Sequence, residues 1–374
     1  MSKAVKEAQI DTVVIGAGQA GLAAGYHLAR HRVPFTIFDK NERVGDPWRT
    51  RWDSLRLFTP ARYNSLPGMR FPGPQSANST KDEVADYMEG YAQHFEFPVR
   101  TAVTVESLSK VGDRFEVAHD QGSMIATNVI VATGAYQRPR IPTFASELDP
   151  TITQLSANEY RNPSQLRDGG VLVVGAGNSG AEIAIDIARP GQTFLSGPDT
   201  GQEPTRAGSR PDRLITPIFW LLITRVLTVN TFIGRKVRDQ LFDPPRGIPL
   251  GRVRRKEIPA AGIEPVPRTI GVKDGMPVLE DGRVMVVSNV IWCTGYVPDF
   301  SWIQLPLPSK NGYPIQQRGI VESQPGLYFL GLPFLYSLSS ALVGGVGRDA
   351  EHVVAHLIDR ARDPTGRTLQ TLTG

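Results

Sequence analysis

The chain has 374 residues, enough for two or three domains, and its 40% hydrophobic and 21% charged residues are those of a globular protein with an ample core. Its 41 Lys and Arg against 37 Asp and Glu leave a net charge of only +4; with no basic tail and no aromatic–basic interleaving, no nucleic-acid partner is expected. A single cysteine, Cys293, excludes an intramolecular disulfide, a Cys-x-x-Cys redox pair and a cysteine-rich zinc site.

The opening MSKAVKEAQI has no apolar core of signal-peptide length, which with the lone cysteine leads to the expectation of a reducing, cytoplasmic setting. Thr12–Ile15 is predicted as a strand. Gly16, Gly18 and Gly21 follow, then LAAGYHLAR with helical periodicity, then a second strand, PFTIFD, ending on Asp39. This is a β-α-β dinucleotide unit: Gly16 for the tight turn, Gly18 for close approach to a pyrophosphate, Gly21 for helix–strand packing. The helix start offers free N–H groups and a positive dipole end to phosphates. Asp39 can accept hydrogen bonds from a ribose with a free 2′-hydroxyl, as in FAD or NAD. Further on, Thr80 and Glu83 form a capping box, and Val84, Tyr87, Met88 and Tyr91 make a helical stripe read as core.

The device returns at GVLVVGAGNSGAEIAIDIA, with Gly175, Gly177 and Gly180 at the same offsets. The place matching Asp39 falls on Gly197 or Pro198, so the strand ends without an acid, which permits NADP(H); Asp199, one step on, keeps NADH permitted. Two further apolar runs, NVIVATGAY at 128–136 and NVIWCTGYV at 289–297, stop at Thr133-Gly134 and Thr294-Gly295 and bracket this second unit. A nicotinamide domain inserted into a flavin domain is therefore expected. The expected fold is α/β with two Rossmann-like dinucleotide-binding domains: a discontinuous FAD domain at 1–140 and 297–374, and an NAD(P)H domain at 141–296. Residues 212–240 are unusually apolar, and the core Leu214–Leu227 is shorter than the ~20 residues of a spanning helix and holds Pro217 and Arg225. It reads as a helix over the active site or between domains, or as a membrane-surface or dimer-forming helix that admits a lipophilic substrate. Arg252–Lys256 reads as a solvated strand or loop, and His352 and His356 as an ordinary helical pair rather than metal ligands.

In order and spacing, GAGQAGLAAGYHL, FDKNERVGDPWR, SLRLFTP, VIVATGAYQRPRIP, VLVVGAGNSGAEIAIDIA, VIWCTGYVPDF and GLYFLGLPF…GGVGRDA resemble the flavin-containing monooxygenase family of two-dinucleotide-domain flavoproteins. They are most similar to its bacterial branch of cation-efflux-associated, NAD(P)/FAD-dependent oxidoreductases. The resemblance covers nearly the whole chain. It implies that Gly16, Gly18, Gln19, Ala20, Gly21, Asp39 and Lys40 hold FAD, and that Gly45 and Trp48 lie by its ring, with Thr133 and Gly134 nearby. It implies that Gly175, Gly177, Asn178, Ser179, Gly180, Ser196 and Arg206 take NADPH or NADH. It also places a helix N-terminus after SSALVGGVG near the flavin pyrimidine.

The sequence departs from the family at three places. The F-x-G-x-x-x-H motif falls on Pro150, Ile152 and Ser156, with no match. The arginine that follows the second strand in many members is Pro198, although Arg206 and Arg210 come soon after. The asparagine that hydrogen-bonds the oxygenated flavin in some members is replaced at Phe58 or Thr59.

By resemblance the chemistry is NAD(P)H-driven reduction of FAD, reaction with O2 to a C4a-(hydro)peroxyflavin, and transfer of one oxygen atom to a small lipophilic substrate. N- or S-oxygenation and Baeyer–Villiger insertion all fit. No side-chain catalytic residue and no metal site stand out. A flavoprotein reductase or dehydrogenase without oxygen insertion is the alternative enzyme, and a degenerate flavin-binding sensor or transport-associated partner the alternative outside enzymes. A homodimer is compatible with the apolar segment.

Overall fold

The structure, a computed structural model, describes residues 8–202, 210–242 and 249–362. Strand β1 (Ala8–Ile15) ends in a buried apolar run, as a strand covered on both faces should. Helix α1 (Gln19–Arg30) returns the chain to β2 (Phe35–Phe38), which pairs parallel to β1 with Val13 opposite Thr36. Helix α2 (Lys81–His94) starts on the expected capping box: Glu83 N–H donates to Thr80 Oγ1 at 3.1 Å, and Thr80 N–H to Glu83 Oε2 at 2.8 Å. Its stripe of Val84, Tyr87, Met88 and Tyr91 is buried core.

Strands β3 (Val99–Arg100), β4 (Val105–Val111), β5 (Arg114–His119) and β6 (Gly122–Val131) complete most of the first sheet, in the order β3-β2-β1-β6-β5-β4. The long β6 has two partners on one side. Its first half pairs antiparallel with β5, and Val129–Val131 pair in parallel with Leu327–Phe329 from far along the chain. Helix Val346–Arg362 then packs on α1.

The second sheet is wholly parallel. It contains β7 (Thr153–Ser156), β8 (Val171–Val174), β9 (Thr193–Ser196), β10 (Ile263–Val266) and β11 (Asn289–Trp292), ordered β7-β11-β8-β9-β10, with helix α3 (Asn178–Asp186) between β8 and β9. Its strands all lie between the two Thr-Gly ends. Where the chain crosses between sheets, Arg138–Pro139 pairs antiparallel with Tyr296–Val297, so both crossings run side by side. A parallel β-α-β unit in each sheet, the first sheet mixed and the second wholly parallel, is the α/β architecture expected from the paired glycine motifs.

The apolar segment is not one helix. Helix α4 (Arg210–Leu221) passes into a π-turn at Leu222–Val226, and α5 (Phe232–Phe242) follows. The break is fixed by Thr231, whose hydroxyl donates to Val226 O, and by Gly234, where an added Cβ would lie 2.0 Å from Thr228 O. Val229 N–H donates to Tyr336 O and Leu338 N–H to Leu227 O, clipping the hairpin to the stretch before the last helix. Among the described residues no helix is long and apolar enough to cross a membrane.

Candidate functional site

The two glycine turns are built alike. Gly16 has φ +107 and Gly175 φ +110, left-handed values that favour glycine. A Cβ on Gly16 would meet Ala132 O at 2.7 Å, and one on Gly175 would meet Cys293 O at 2.3 Å. Each turn therefore presses on the end of the strand that leaves its own sheet. A Cβ on Gly21 or Gly180 would lie 1.8 Å from the carbonyl of Gly16 or Gly175, so helix and strand meet backbone to backbone. Gly18 (φ −77, ψ −174) and Gly177 (φ −77, ψ −172) cap the two helices with matching angles and have nothing within 4 Å of an added Cβ. That open space over free helix N–H groups fits a dinucleotide pyrophosphate at both turns.

Asp39 directly follows β2 and is buried. Ala17 N–H donates to its Oδ2 at 2.6 Å, and Asn41 donates to its Oδ1 from the backbone at 2.9 Å and from the side chain at 2.6 Å. Asp39 thus braces the first glycine turn. Of about four lone-pair sites on the carboxylate, three are engaged and one is left for a ribose hydroxyl. Lys40 beside it is exposed.

Other candidates of the flavin side are packed by residues from distant parts of the chain. Gln19 Nε2 donates to Ala341 O at 3.3 Å, and a Cβ on Gly331 would meet the Ala20 side chain at 2.8 Å. Gly344 and Gly345 lie tight against Tyr63 O and Ser339 O just before helix Val346–Arg362, bringing a second helix start to the same region. Gly45 (φ +93) caps the one-turn helix Asp46–Arg49, where a Cβ would strike Ala85 O at 2.5 Å; Trp48 on that turn packs against the core. Asp46 does not leave a gap where the family has a second glycine, since it accepts from Arg43 N–H and pairs with Arg49 at 3.2 Å.

At the crossings, Gln137 Nε2 donates to Thr133 Oγ1 at 2.8 Å and to Gly134 O at 3.1 Å, while its Oε1 accepts from Asp299 N–H. Arg51 donates to Asn158 Oδ1 and to Tyr296 OH, tying the first sheet's loops to the second. Tyr136 meets the Tyr296 ring edge-on at 5.1 Å. Beside them lies a small pocket walled by Pro139, Ala157, Ser179, Trp292, Cys293 and Tyr296. Its lining mixes apolar and polar surface, and Ser179 brings the second glycine turn to its edge. Burial pushes the Cys293 thiol up to about 12, so it stays protonated at neutral pH and is a poor nucleophile.

At the second dinucleotide turn several candidate side chains have partners within the chain. The Ser196 side chain is engaged within the protein: it is fully buried, and its hydroxyl bonds Pro267 O at 2.9 Å and both the hydroxyl and N–H of Thr269. The Asn178 amide donates to Pro249 O at 3.1 Å and accepts from Gly251 N–H at 2.9 Å, so its side chain clamps a distant loop and only its backbone is free for a phosphate. Arg206 lies outside the described residues. Arg252–Lys256 is not a merely solvated run. Arg252 pairs with Glu182 of α3 at 3.1 Å and also reaches Arg56 O, and Arg255 Nη2 lies 2.6 Å from Asp199 Oδ2. Burial raises the Glu182 carboxyl to about 7 against the opposing pull of Arg252.

In place of the unmatched motif histidine, Ser156 is buried at the end of β7 and donates from Oγ and N–H to Glu159 Oε2. Near the missing flavin-facing amide the structure shows a residue that the motifs did not flag. Asn64 is buried, accepts from Thr59 Oγ1 at 2.6 Å and donates to Thr59 O at 3.1 Å.

The comparisons with known proteins agree with this geometry. Residues 13–228 match the pyridine nucleotide-disulphide oxidoreductase family. The chain is 42% identical, over 94% of its length and 99% of the relative, to an uncharacterized CzcO-like oxidoreductase of Geobacillus kaustophilus (strain HTA426). A probable indole-3-pyruvate monooxygenase of Arabidopsis thaliana, YUCCA7, is 27% identical over 96% of this chain and 90% of its own. Among solved structures, a flavin-containing monooxygenase from Stenotrophomonas maltophilia superposes with a TM-score of 0.75 at 27% identity, covering 95% of this chain and 99% of that one. The chain belongs to the pyridine nucleotide-disulphide oxidoreductase family, and within it is a flavin-dependent NAD(P)H oxidoreductase.

Proposed function

We propose that this oxidoreductase is a monooxygenase that uses NADPH, with NADH accepted, to insert one atom of O2 into a small lipophilic substrate. The observation that carries the reading is the pair of matched turns, each with open space over its capping glycine and only the first followed by a buried acid. Such a pair suits FAD on residues 1–140 with 297–374 and a nicotinamide dinucleotide on 141–296, the division we propose. When bound, the flavin would supply hydride acceptance and oxygen activation.

The chain's own groups do the rest. Gly16, Gly18 and Gly21 admit the FAD pyrophosphate, Asp39 offers its remaining lone pair to the ribose, and Gly45 with Trp48 shapes the ring side. Gly134 and Gly331 bring the backbone close to the first turn. Gly175, Gly177 and Gly180 admit the second pyrophosphate, and Ser179 stands where the pocket opens. Trp292, Pro139 and the Tyr296 ring put aromatic and aliphatic surface beside that opening, which suits an uncharged substrate portion. With one cysteine held as a thiol, dithiol–disulfide exchange of the kind in the family's name is not available here.

The absence of a histidine at Ser156 favours the reductase as the second reading. One experiment separates the two: purified holoenzyme is mixed with NADPH and O2 against a panel of amines, sulfides and ketones, with NADPH loss, oxygenated product and peroxide all measured. Oxygenated product from any class supports the monooxygenase. Rapid reduction of quinone or dye acceptors with no oxygenated product replaces it by the reductase. A colourless protein that NADPH does not alter excludes both.

A further inference from the structure

The hairpin of α4 and α5 exposes more apolar surface than a covered helix pair should. Phe232 is 75% exposed, Ile218 68%, Ile233 58% and Leu221 57%. On α4 and the π-turn, Ile215, Ile218, Phe219, Leu222 and Val226 recur at three- and four-residue steps and are all exposed. They form one outward face, while Ile223 and Thr224 are buried and Trp220 stacks on Tyr63 at 4.7 Å. A contiguous exposed patch of this kind marks a docking surface.

The charges beside the patch are mostly basic. Arg225, Arg235 and Lys236 are exposed, and Arg238 pairs with Asp239, the one acid between residues 215 and 242. An apolar face with a basic border complements an anionic lipid surface: aliphatic and aromatic side chains enter the headgroup boundary while Lys and Arg stay at the phosphates. A symmetric second copy would set the same basic border against itself, at a like-charge cost. No described helix is long and apolar enough to span a bilayer, so contact of this segment with lipid would be at the surface.

The hairpin is also held firmly. Arg348 donates to Thr224 O at 2.6 Å, its guanidinium lies 5.1 Å from the Tyr336 ring centre, and residues 227–229 bond the backbone of 336–338. The docking face is thus fixed to the stretch that leads into helix Val346–Arg362. We infer that residues 215–236 seat the protein on anionic membrane leaflets, with Ile218, Leu221, Phe232 and Ile233 buried among the lipids and Arg225, Arg235 and Lys236 on the headgroups.

The test is co-sedimentation of the full-length holoenzyme with vesicles of phosphatidylcholine alone and of phosphatidylcholine with phosphatidylglycerol, at low and high salt, beside its oligomeric state in solution. The native chain should sediment with the anionic vesicles at low salt and be released by high salt. I218E/F232E should lower the partition coefficient about tenfold or more, and R235E/K236E should do so on anionic vesicles only. Both pairs are solvent-exposed, so melting temperatures should hold; should the first variant fail to fold, the second decides alone. Failure of the native chain to bind anionic vesicles, binding unchanged in folded variants, or equal binding to neutral vesicles at any salt would overturn the inference. So would a native dimer that I218E/F232E turns into a monomer without any vesicle binding.

Discussion

Arg255 reaches back to Asp199, with 2.6 Å between guanidinium and carboxylate, just beyond the strand that ends at Ser196. That strand end is where a nicotinamide dinucleotide presents its adenosine ribose, 2′-hydroxyl or 2′-phosphate. Both partners are largely exposed, so the pair itself holds little free energy, about 0–1 kcal/mol. An acid suited to a ribose hydroxyl and an arginine suited to a phosphate therefore sit together, and each can release the other.

Cofactor choice should consequently be mild. NADPH is expected to be preferred over NADH by less than about a hundredfold. Arg255→Ala should weaken 2′,5′-ADP binding about tenfold, with 5′-ADP changed much less; Asp199→Ala should strengthen 2′,5′-ADP by freeing the arginine. Calorimetric titration of the two fragments reads this without turnover. Equal effects on both fragments would remove Arg255 from phosphate recognition.

Asp39→Ala should act before any flavin is bound. It strips the acceptor from the Ala17 N–H inside the first glycine turn, at a cost of about 1–3 kcal/mol. Flavin-free protein should melt lower, and flavin content after purification should fall. A variant with unaltered melting temperature and full flavin would contradict the bracing role.

Glu182 gives a pH signature. Its folded pKa, raised by burial to about 7, lies above the ordinary value of 4.5, so the folded state holds the proton more tightly. Stability on this account is full below pH 4.5, falls as pH rises toward about 7, and is flat above. The difference in unfolding free energy between Glu182→Gln and the native chain should therefore grow in the variant's favour across that window, by up to the order of 3 kcal/mol. Denaturant melts at several pH values measure it, and a pH-independent difference would show that Arg252 keeps the carboxylate charged throughout.

Oxygen use should be leaky. No amide occupies Phe58 or Thr59, Ser156 is bonded to Glu159, and both ends of the Asn64 amide are engaged by Thr59. With NADPH and no organic substrate, the holoenzyme should release hydrogen peroxide in amounts close to the NADPH consumed. Asn64→Ala should lower the melting temperature and leave that yield unchanged. A low yield in the native chain, rising sharply in Asn64→Ala, would make Asn64 the stabilising amide after all.

The parts legible in the sequence are those dictated by local backbone needs. Gly16 and Gly175 must take positive φ, Gly21 and Gly180 must let a carbonyl within a Cβ's reach, and each shows as a glycine at a fixed offset. The capping box at Thr80 and Glu83 is equally local. What escaped depends on segments far apart in the chain. Asn178 looks like a phosphate-loop side chain until Pro249 and Gly251 arrive to take its amide, and Ser196 until Thr269 covers it. Arg255 reads as a surface charge because its partner is more than fifty residues earlier. The apolar stretch around 214–227 gave composition but not where its hairpin docks, which is set by contacts to Tyr336 and Leu338.

The parallel pairing of Val129–Val131 with Leu327–Phe329 imposes an order of events during synthesis. At about 5–20 residues per second, the last third of the chain leaves the ribosome many seconds after β6. Until then the second half of β6 has β1 on one edge but no neighbour on the other, and α1 lacks helix Val346–Arg362. All five strands of the second sheet are by that time already out. The nascent chain should mature from the middle outward, and a ribosome stalled near residue 330 should carry a protease-resistant centre with a still-cleavable N-terminal third.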